Sequence, residues 1–169
     1  DGSTNTLIYS DDLYKWKGLG RVFSKECNDI KWNGNNWVAI GKNNLNNSEI
    51  KWSNDGIKWT DITLTYDISG LNSIASGKDS SLNDIMVIAG NKNNNLRVFK
   101  SRDYGKTWIS KFSMNTISVT NDLKIIYNNY NFILCADKIY KSSDLNNWES
   151  ILDISGRNIL TTGNNLLFI

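Results

Sequence analysis

The chain has 169 residues, of which 40% are hydrophobic and 21% charged, and its formal net charge is only +2. This composition suits one globular domain with its own core, and the small charge argues against nucleic acid or an anionic membrane as a partner. The sequence contains no histidine, which excludes Ser-His-Asp and Cys-His nucleophiles and the usual zinc sites. We therefore expect neither a metal nor a cofactor.

The predicted elements are short strands that recur in a fixed order. Residues 1–22 give two strands, C and D, around a polar loop. Residues 23–66, 67–116 and 117–154 each give four strands, A to D, and residues 155–169 give a last A and B pair. An Asn leads each strand A, and an Asn/Gly-rich turn such as NGNN joins it to strand B, which is a strong hairpin signal.

The loop between strands C and D repeats one pattern four times: a Ser, an Asp two places on, and a Trp four or five residues after the Asp. We call each copy a Ser-Asp loop; the copies span 10–16, 53–59, 101–108 and 142–148. The Ser-to-Ser intervals are 43, 48 and 41 residues, a period typical of propeller blades. We expect the Asp to accept backbone N–H bonds of its own loop, the Ser to add another, and the Trp to bury its ring.

The residues of the Ser-Asp loops are assigned a structural role. They are Ser10, Asp12, Trp16, Ser53, Asp55, Gly56, Trp59, Ser101, Asp103, Gly105, Trp108, Ser142, Asp144 and Trp148. Gly56 and Gly105 allow a positive φ where a side chain would clash. Leu13 and Leu145 lie near that place in the other two loops, so we expect those loops to follow a different path, one residue shorter.

The four loops and their spacing resemble the Asp-box (BNR) repeat of the sialidase-like β-propellers, and the resemblance covers the whole chain. SRDYGKTW at 101–108 matches the family pattern fully, and the other three copies are one residue short between Asp and Trp. The resemblance implies a single all-β domain over 1–169, a β-propeller of four-stranded antiparallel blades. A repetitive β-sandwich or β-helix is the alternative fold.

The order of the strands predicts about four blades. Strands C and D at the start and strands A and B at the end would close one shared blade, which removes exposed strand edges. Counted across the termini, Asn158 to Ser10 is 21 residues, the same as Asn121 to Ser142. Two copies sharing a larger ring, or further sequence completing it, are the alternatives, and the Asp at position 1 indicates a processed or excised chain.

The resemblance also implies where chemistry would lie. Sialidase-like members place their Asp-boxes away from the active site, and sialidases use three arginines, a Tyr with a Glu, and an Asp acid. Of the four arginines here, Arg102 is inside a Ser-Asp loop and Arg97 inside a strand C. Arg21 and Arg157 remain as ligand-binding candidates on the opposite face, one short of the family set. Since no carboxylate pair is evident either, we assign no catalytic residue.

The tryptophans outside the loops allow two interpretations. Trp32, Trp37 and Trp52 carry flat rings that suit the faces of sugars, but packing between blades explains them as well and is favoured. Cys27 and Cys135 lie in apolar settings and are interpreted as buried free thiols, which leaves the compartment open. No signal peptide or membrane-spanning segment is evident, and both an extracellular and a virion-associated location fit.

The function hypothesis is a non-catalytic β-propeller that serves as a binding or scaffold module. Its ligand would be a protein or a glycan, bound on the face opposite the Ser-Asp loops, and self-association could complete or extend the ring. One alternative is a fragment of a sialidase-like glycoside hydrolase, complete only with further sequence. The other is a structural component of a larger assembly such as a virion.

Overall fold

A computed structural model of the protein describes residues 4–63, 70–92, 95–115, 123–153, 159–162 and 165–168. In these residues the chain forms antiparallel β-strands and no α-helix. The prediction of an all-β, antiparallel fold is therefore confirmed. The described residues also contain no helix that is long and apolar enough to cross a membrane.

The strands form a series of separate sheets in chain order. The N-terminal hairpin consists of β1 (Ile8–Tyr9) and β2 (Lys17–Gly18). Sheet 1 consists of β3 (Glu26–Trp32), β4 (Trp37–Lys42), β5 (Ser48–Ser53) and β6 (Thr60–Ile62). Each strand of sheet 1 pairs with the next one along the chain.

Two further four-stranded sheets repeat this meander. Sheet 2 consists of β7 (Leu71–Lys78), β8 (Asp84–Lys92), β9 (Asn95–Ser101) and β10 (Ile109–Asn115). Sheet 3 consists of β11 (Lys124–Tyr127), β12 (Phe132–Cys135), β13 (Ile139–Ser142) and β14 (Glu149–Leu152). The C-terminal hairpin consists of β15 (Ile159–Thr162) and β16 (Asn165–Phe168).

The first strands of sheets 1 and 2 share a bulge at the same place. In β3 the register shifts between Cys27 and Asp29, and in β7 it shifts between Leu71 and Ser73. The residue left over in each case is the Asn that leads the strand. A bulge re-aims the side chain it carries, and the amide of Asn28 crosses to sheet 2 to donate to the carbonyl of Leu71 at 2.6 Å.

Apolar clusters fill the spaces between adjacent sheets. Sheet 2 is buried on both faces: Met86, Ile88 and Phe99 pack with sheet 1, while Val87 and Val98 pack with sheet 3. Alternating residues of one strand point to opposite faces, which explains how β8 and β9 serve both clusters. A third, smaller cluster joins sheet 3 to β15.

The predicted closing blade is not formed. In the described part of the chain, β1–β2 and β15–β16 remain two separate two-stranded sheets, so the expectation of a ring closed within one chain was wrong for this structure. The N-terminal hairpin belongs to none of the three apolar clusters, and Ile8 on β1 is 55% exposed. In the described part of the chain, this hairpin is therefore not part of the apolar clusters between the sheets.

Lys51 explains in part why the N-terminal hairpin lies outside the apolar clusters. Phe99 and Tyr140 lie two residues before the Ser of their loops, are buried, and pack against the preceding sheet. The equivalent residue of sheet 1 is Lys51, whose ammonium pairs with Asp61 and lies 3.7 Å from Glu49. A charged side chain gives up the hydrophobic gain that an aromatic ring provides there.

Candidate functional site

The Ser-Asp loop of sheet 2 holds itself together through Asp103. One oxygen of its carboxylate accepts the backbone N–H of Thr107 and the hydroxyl of Ser101, each at 2.8 Å. The other oxygen accepts the hydroxyl of Thr107 at 2.6 Å, and the backbone N–H of Gly105 donates to the Ser101 hydroxyl at 2.8 Å. The carboxylate is therefore occupied inside its own loop.

The other loops repeat this network. Asp55 accepts the N–H groups of Ile57 and Lys58 at 2.8 Å each, and Asp144 accepts those of Asn146 and Asn147 at 2.9 Å each. Asp12 does the same in the N-terminal hairpin, with N–H donors at 2.9 and 2.7 Å. In every loop the Ser hydroxyl donates to the Asp carboxylate two residues on.

These contacts lower the pKa of the loop aspartates. For Asp144 the backbone N–H of Asn147 is the main cause, and it outweighs burial to bring the pKa to about 2. The N–H groups of Lys58 and Ile57 lower the pKa of Asp55. Burial alone would raise the pKa of Asp103, but the hydrogen bonds from the hydroxyl and N–H of Thr107 outweigh burial and lower it. All three groups are thus anions that accept hydrogen bonds rather than proton donors.

The expectation about the two leucines was wrong. Leu13 and Leu145 adopt φ values of 64° and 65°, close to the 73° of Gly56. The N–H of Leu145 donates to the Ser142 hydroxyl at 2.8 Å, as the N–H of Gly56 does to Ser53. The two leucine loops therefore follow the path of the glycine loop, and each Leu takes the left-handed conformation itself.

The tryptophans bind their loops through the indole nitrogen, a contact that the sequence reasoning missed. Trp59, Trp108 and Trp148 donate to the carbonyls of the positive-φ residues Gly56, Gly105 and Leu145 at 3.1, 2.8 and 3.3 Å. Their rings differ in exposure, since Trp108 is buried and the other two are half-buried. Trp16 of the N-terminal hairpin remains 57% exposed, so it does not bury its ring as expected.

The structure describes one of the two predicted ligand-binding arginines. Arg21 precedes sheet 1, is exposed, and makes no ion pair or hydrogen bond within the described residues; Arg157 lies outside those residues. Arg97 lies in β9 as predicted. Arg102 pairs with Asp79 in the turn between β7 and β8, where Asp79 is almost fully buried.

The other three tryptophans are placed differently from one another. Trp37 and Trp52 are half-buried, and Trp52 packs against the cluster between sheets 1 and 2. Lys106 from the loop of sheet 2 lies 5.4 Å above the Trp52 ring. Trp32 is 43% exposed and its ring lies 5.3 Å from that of Trp37. Packing between sheets thus accounts for Trp52 in part and leaves Trp32 at the surface.

The first strands of the three sheets border a common groove. Its cavity of about 170 Å³ is lined by residues 29–31 of β3, 74–76 of β7 and 124–127 of β11. We call it the first-strand groove. The segments at 64–69, 116–122 and 154–158, which enter or precede the first strands, lie outside the described residues.

Asp29 ties the three first strands together at this groove. Its carboxylate accepts the Ser73 hydroxyl at 2.8 Å, the backbone N–H of Ile74 at 3.1 Å and the ammonium of Lys124 at 2.8 Å. Ser73 also accepts the N–H of Ile125 at 3.2 Å. Residues of sheets 1, 2 and 3 thus meet in one network, which no local pattern in the sequence indicated.

The charged groups that line the groove are the ammonium groups of Lys31 and Lys124 and the carboxylate of Asp29, which is already hydrogen-bonded. Lys31 is exposed and has no hydrogen bond or ion pair within the described residues, whereas Lys124 is held by Asp29. Asp29 is the one carboxylate that lines the groove among those residues. In the same part of the chain, no group of three acidic or cysteine side chains is close enough to hold a metal ion.

Both cysteines are free thiols in the structure. Cys135 is buried and Cys27 is half-buried. Burial raises the pKa of Cys27 to about 12, with a contribution from the charge of Asp29, and it raises the pKa of Cys135 to about 11. At neutral pH neither is a thiolate nucleophile.

No family model matches the chain, and no curated protein is similar to it in sequence. Among solved structures, the fold is similar to the crystal structure of 1,3Gal43A, an exo-beta-1,3-galactanase from Clostridium thermocellum, with 13% sequence identity and a TM-score of 0.50. The alignment covers 87% of this chain and 39% of that one, so the chain spans about two fifths of the galactanase. At this identity the likeness concerns the fold alone.

Proposed function

We propose that the chain is a run of β-propeller blades of the Asp-box type and that it works as a non-catalytic binding or scaffold module. In this proposal sheets 1, 2 and 3 are complete blades and the two terminal hairpins are half-blades. The Ser-Asp loops stabilise the outer hairpin of each blade. The ligand is a protein or a glycan, and it binds on the face opposite those loops.

The contact between Asp29 and Lys124 carries the proposal of a radial arrangement. Asp29 belongs to sheet 1 and Lys124 to sheet 3, and their charged groups lie 2.8 Å apart although sheet 2 packs between the two sheets. Stacked sheets lie about 10 Å apart, so a flat stack would separate sheets 1 and 3 by about 20 Å. Blades arranged around an axis require that the first strands converge while the faces of neighbouring sheets stay packed.

The state of the carboxylates favours binding over catalysis. Glycoside hydrolases need two carboxyl groups about 5–10 Å apart, one of them able to give up a proton. The loop aspartates are held as anions within their own loops, which makes them unsuited to general acid catalysis. Asp29 already accepts four hydrogen bonds, so its oxygens are occupied by contacts of the fold.

Arg21 provides the first test of the ligand face. The variant Arg21→Glu reverses an exposed charge on the connection between β2 and β3, and Lys15→Glu reverses an exposed charge inside a Ser-Asp loop. Ligands would be found on an array of neutral and acidic oligosaccharides and measured by calorimetry. Affinity that falls about tenfold in the first variant and holds in the second supports the proposed face. The opposite pattern would place the ligand at the loops.

A glycoside hydrolase is the second candidate, since the fold is similar to that of an exo-beta-1,3-galactanase. Because the chain spans 39% of that protein, such an activity would depend on residues beyond those described. The test is prolonged incubation of concentrated protein with β-1,3-galactan and detection of released galactose. Release that survives repurification would contradict the non-catalytic proposal.

A further inference from the structure

A small cavity lies beside the Ser-Asp loop of sheet 1, where β5 meets β6. It has a volume of about 210 Å³ and is lined by Trp52, Ser53, Asn54, Asp55, Lys58 and Thr60. We call it the Trp52 pocket. The same place in sheet 3 forms a cavity of about 240 Å³ around Lys141 and Trp148, the Lys141 pocket. The repeat thus builds the same concave site twice from different side chains.

Three polar side chains of the Trp52 pocket are unoccupied. The side chains of Asn54, Lys58 and Thr60 are exposed and make no hydrogen bond or ion pair within the described residues. Asp55 uses only one carboxylate oxygen for its loop, which leaves the other as an acceptor. These groups surround the half-buried indole of Trp52. The pocket therefore offers both donors and acceptors at the edge of an aromatic ring.

In the Lys141 pocket the corresponding polar groups are already paired within the chain. Its lysine pairs with Glu149 at 3.1 Å, and the amide of Asn147 donates to the second oxygen of Asp144 at 2.8 Å. Lys141 also occupies the position that Trp52 has in sheet 1, so no indole lines that part of the pocket. Two cavities of similar size, each lined by one tryptophan, thus differ in their unpaired polar groups.

We propose that the Trp52 pocket binds one pyranose unit of a neutral glycan. The C–H face of a sugar packs against an aromatic ring, while its hydroxyl groups both donate and accept hydrogen bonds. Here the part of the Trp52 indole that lines the pocket supplies the apolar surface, beside the ammonium of Lys106, which lies 5.4 Å from the ring. Asn54 and Thr60 reach the hydroxyls as donors and acceptors, Lys58 donates, and the free oxygen of Asp55 accepts. The pocket has room for one ring, so an extended glycan would continue over the surface.

A neutral sugar fits the charges of the pocket better than a charged one. Lys58 and Asp55 oppose each other in sign within the same cavity, and Lys106 lies over the Trp52 ring, so an anionic ligand would meet repulsion from Asp55 and a cationic ligand from the two lysines. Hydroxyl groups satisfy both without a net charge. This site is separate from the face considered above, and it does not depend on the radial arrangement of the sheets.

The test uses the whole chain with three methyl glycosides as probes: methyl β-D-galactopyranoside, methyl β-D-glucopyranoside and methyl α-D-mannopyranoside. Binding is followed by saturation-transfer NMR and titrated for the best of them. The double variant N54A/T60A removes two exposed hydrogen-bonding groups without touching the core, and it should weaken binding about tenfold. The matched control is Ser143→Ala, the counterpart of Asn54 in the Lys141 pocket, which should leave the affinity unchanged.

Two results would overturn the proposal. One is the absence of saturable binding for all three glycosides at tens of millimolar. The other is binding that N54A/T60A leaves intact or that Ser143→Ala weakens equally. Trp52→Phe keeps a ring in the pocket and should retain part of the affinity, which separates loss of the stacking surface from loss of the fold. Arg21→Glu should have no effect, so failure here is distinguishable from failure of the proposed ligand face.

Discussion

Replacing Asp144 by Asn tests how far a Ser-Asp loop depends on the charge of its carboxylate. Asn keeps the shape and one acceptor oxygen but removes the charge. In the folded chain the pKa of Asp144 is lowered from 3.8 to about 2, chiefly by the N–H of Asn147. Each pKa unit corresponds to about 1.4 kcal/mol, but solvent screens a carboxylate that is only partly buried, so the ionised form contributes about 1–2 kcal/mol to stability.

The sign of the pH dependence follows from the direction of the shift. A folded-state pKa below the unfolded value gives stability that is fully present above about pH 5 and is lost as the pH falls through 3.8 toward 2. D144N should therefore lower the free energy of unfolding by about 1–2 kcal/mol at pH 7. Near pH 2 it should differ little from the wild type. Urea unfolding followed by tryptophan fluorescence measures both values.

Asp11→Asn is the matched control. Its side chain is 75% exposed and has one contact, with Lys17 at 3.3 Å, so the change should cost less than about 0.5 kcal/mol. The reasoning would be refuted if D144N and D11N were equally stable at pH 7. A loss for D144N that stayed constant down to pH 2 would also refute it, because the loss would then not come from the charge.

Three further changes probe other parts of the structure. Leu145→Gly should destabilise the chain by about 1–3 kcal/mol, because the loss of a buried side chain outweighs the relief of its positive φ. Leu13 is 78% exposed, so Leu13→Gly should instead stabilise the chain by about 0.5 kcal/mol. Urea unfolding that shifts in the same direction for both variants would contradict this. Asp29→Ala should cost about 2–3 kcal/mol by leaving Lys124 and two other donors unpaired, and unchanged urea stability would rule out the inter-sheet network. Because burial raises the pKa of both cysteine thiols, to about 12 and about 11, neither should react with a thiol reagent at pH 8 until the chain unfolds.

The local structure could be predicted well from the sequence. The Ser-Asp loops fall in the turns between paired strands because a Ser and an Asp two residues apart can satisfy the N–H groups of their own loop. That network involves residues two to four apart, as between Asp103 and Thr107, so the sequence pattern contains nearly all of it. The alternation of apolar residues then indicated which strands flank each loop.

Features that depend on distant parts of the chain could not be predicted in the same way. The network around Asp29 joins residues 44 and 95 positions apart, and nothing in the local pattern distinguishes Asp29 from the other aspartates. Complete burial of the side chain offsets the strain of the positive φ at Leu145, but Leu13 adopts nearly the same φ while 78% exposed, so burial alone does not set the path of these loops. The charge of Lys51 at a core position of sheet 1 likewise bears on ring closure, which periodicity alone does not reveal.

Cross-linking of Asp29 to Lys124 tests most directly whether the sheets converge at their first strands. A carbodiimide joins a carboxylate to an amine only when the two are in contact, as they are here at 2.8 Å. Mass spectrometry of the digested monomer should find the peptides of residues 29 and 124 joined, alongside the exposed control pair Lys78 and Asp84 at 2.7 Å. A cross-link at the control pair with none between residues 29 and 124 would contradict the radial arrangement.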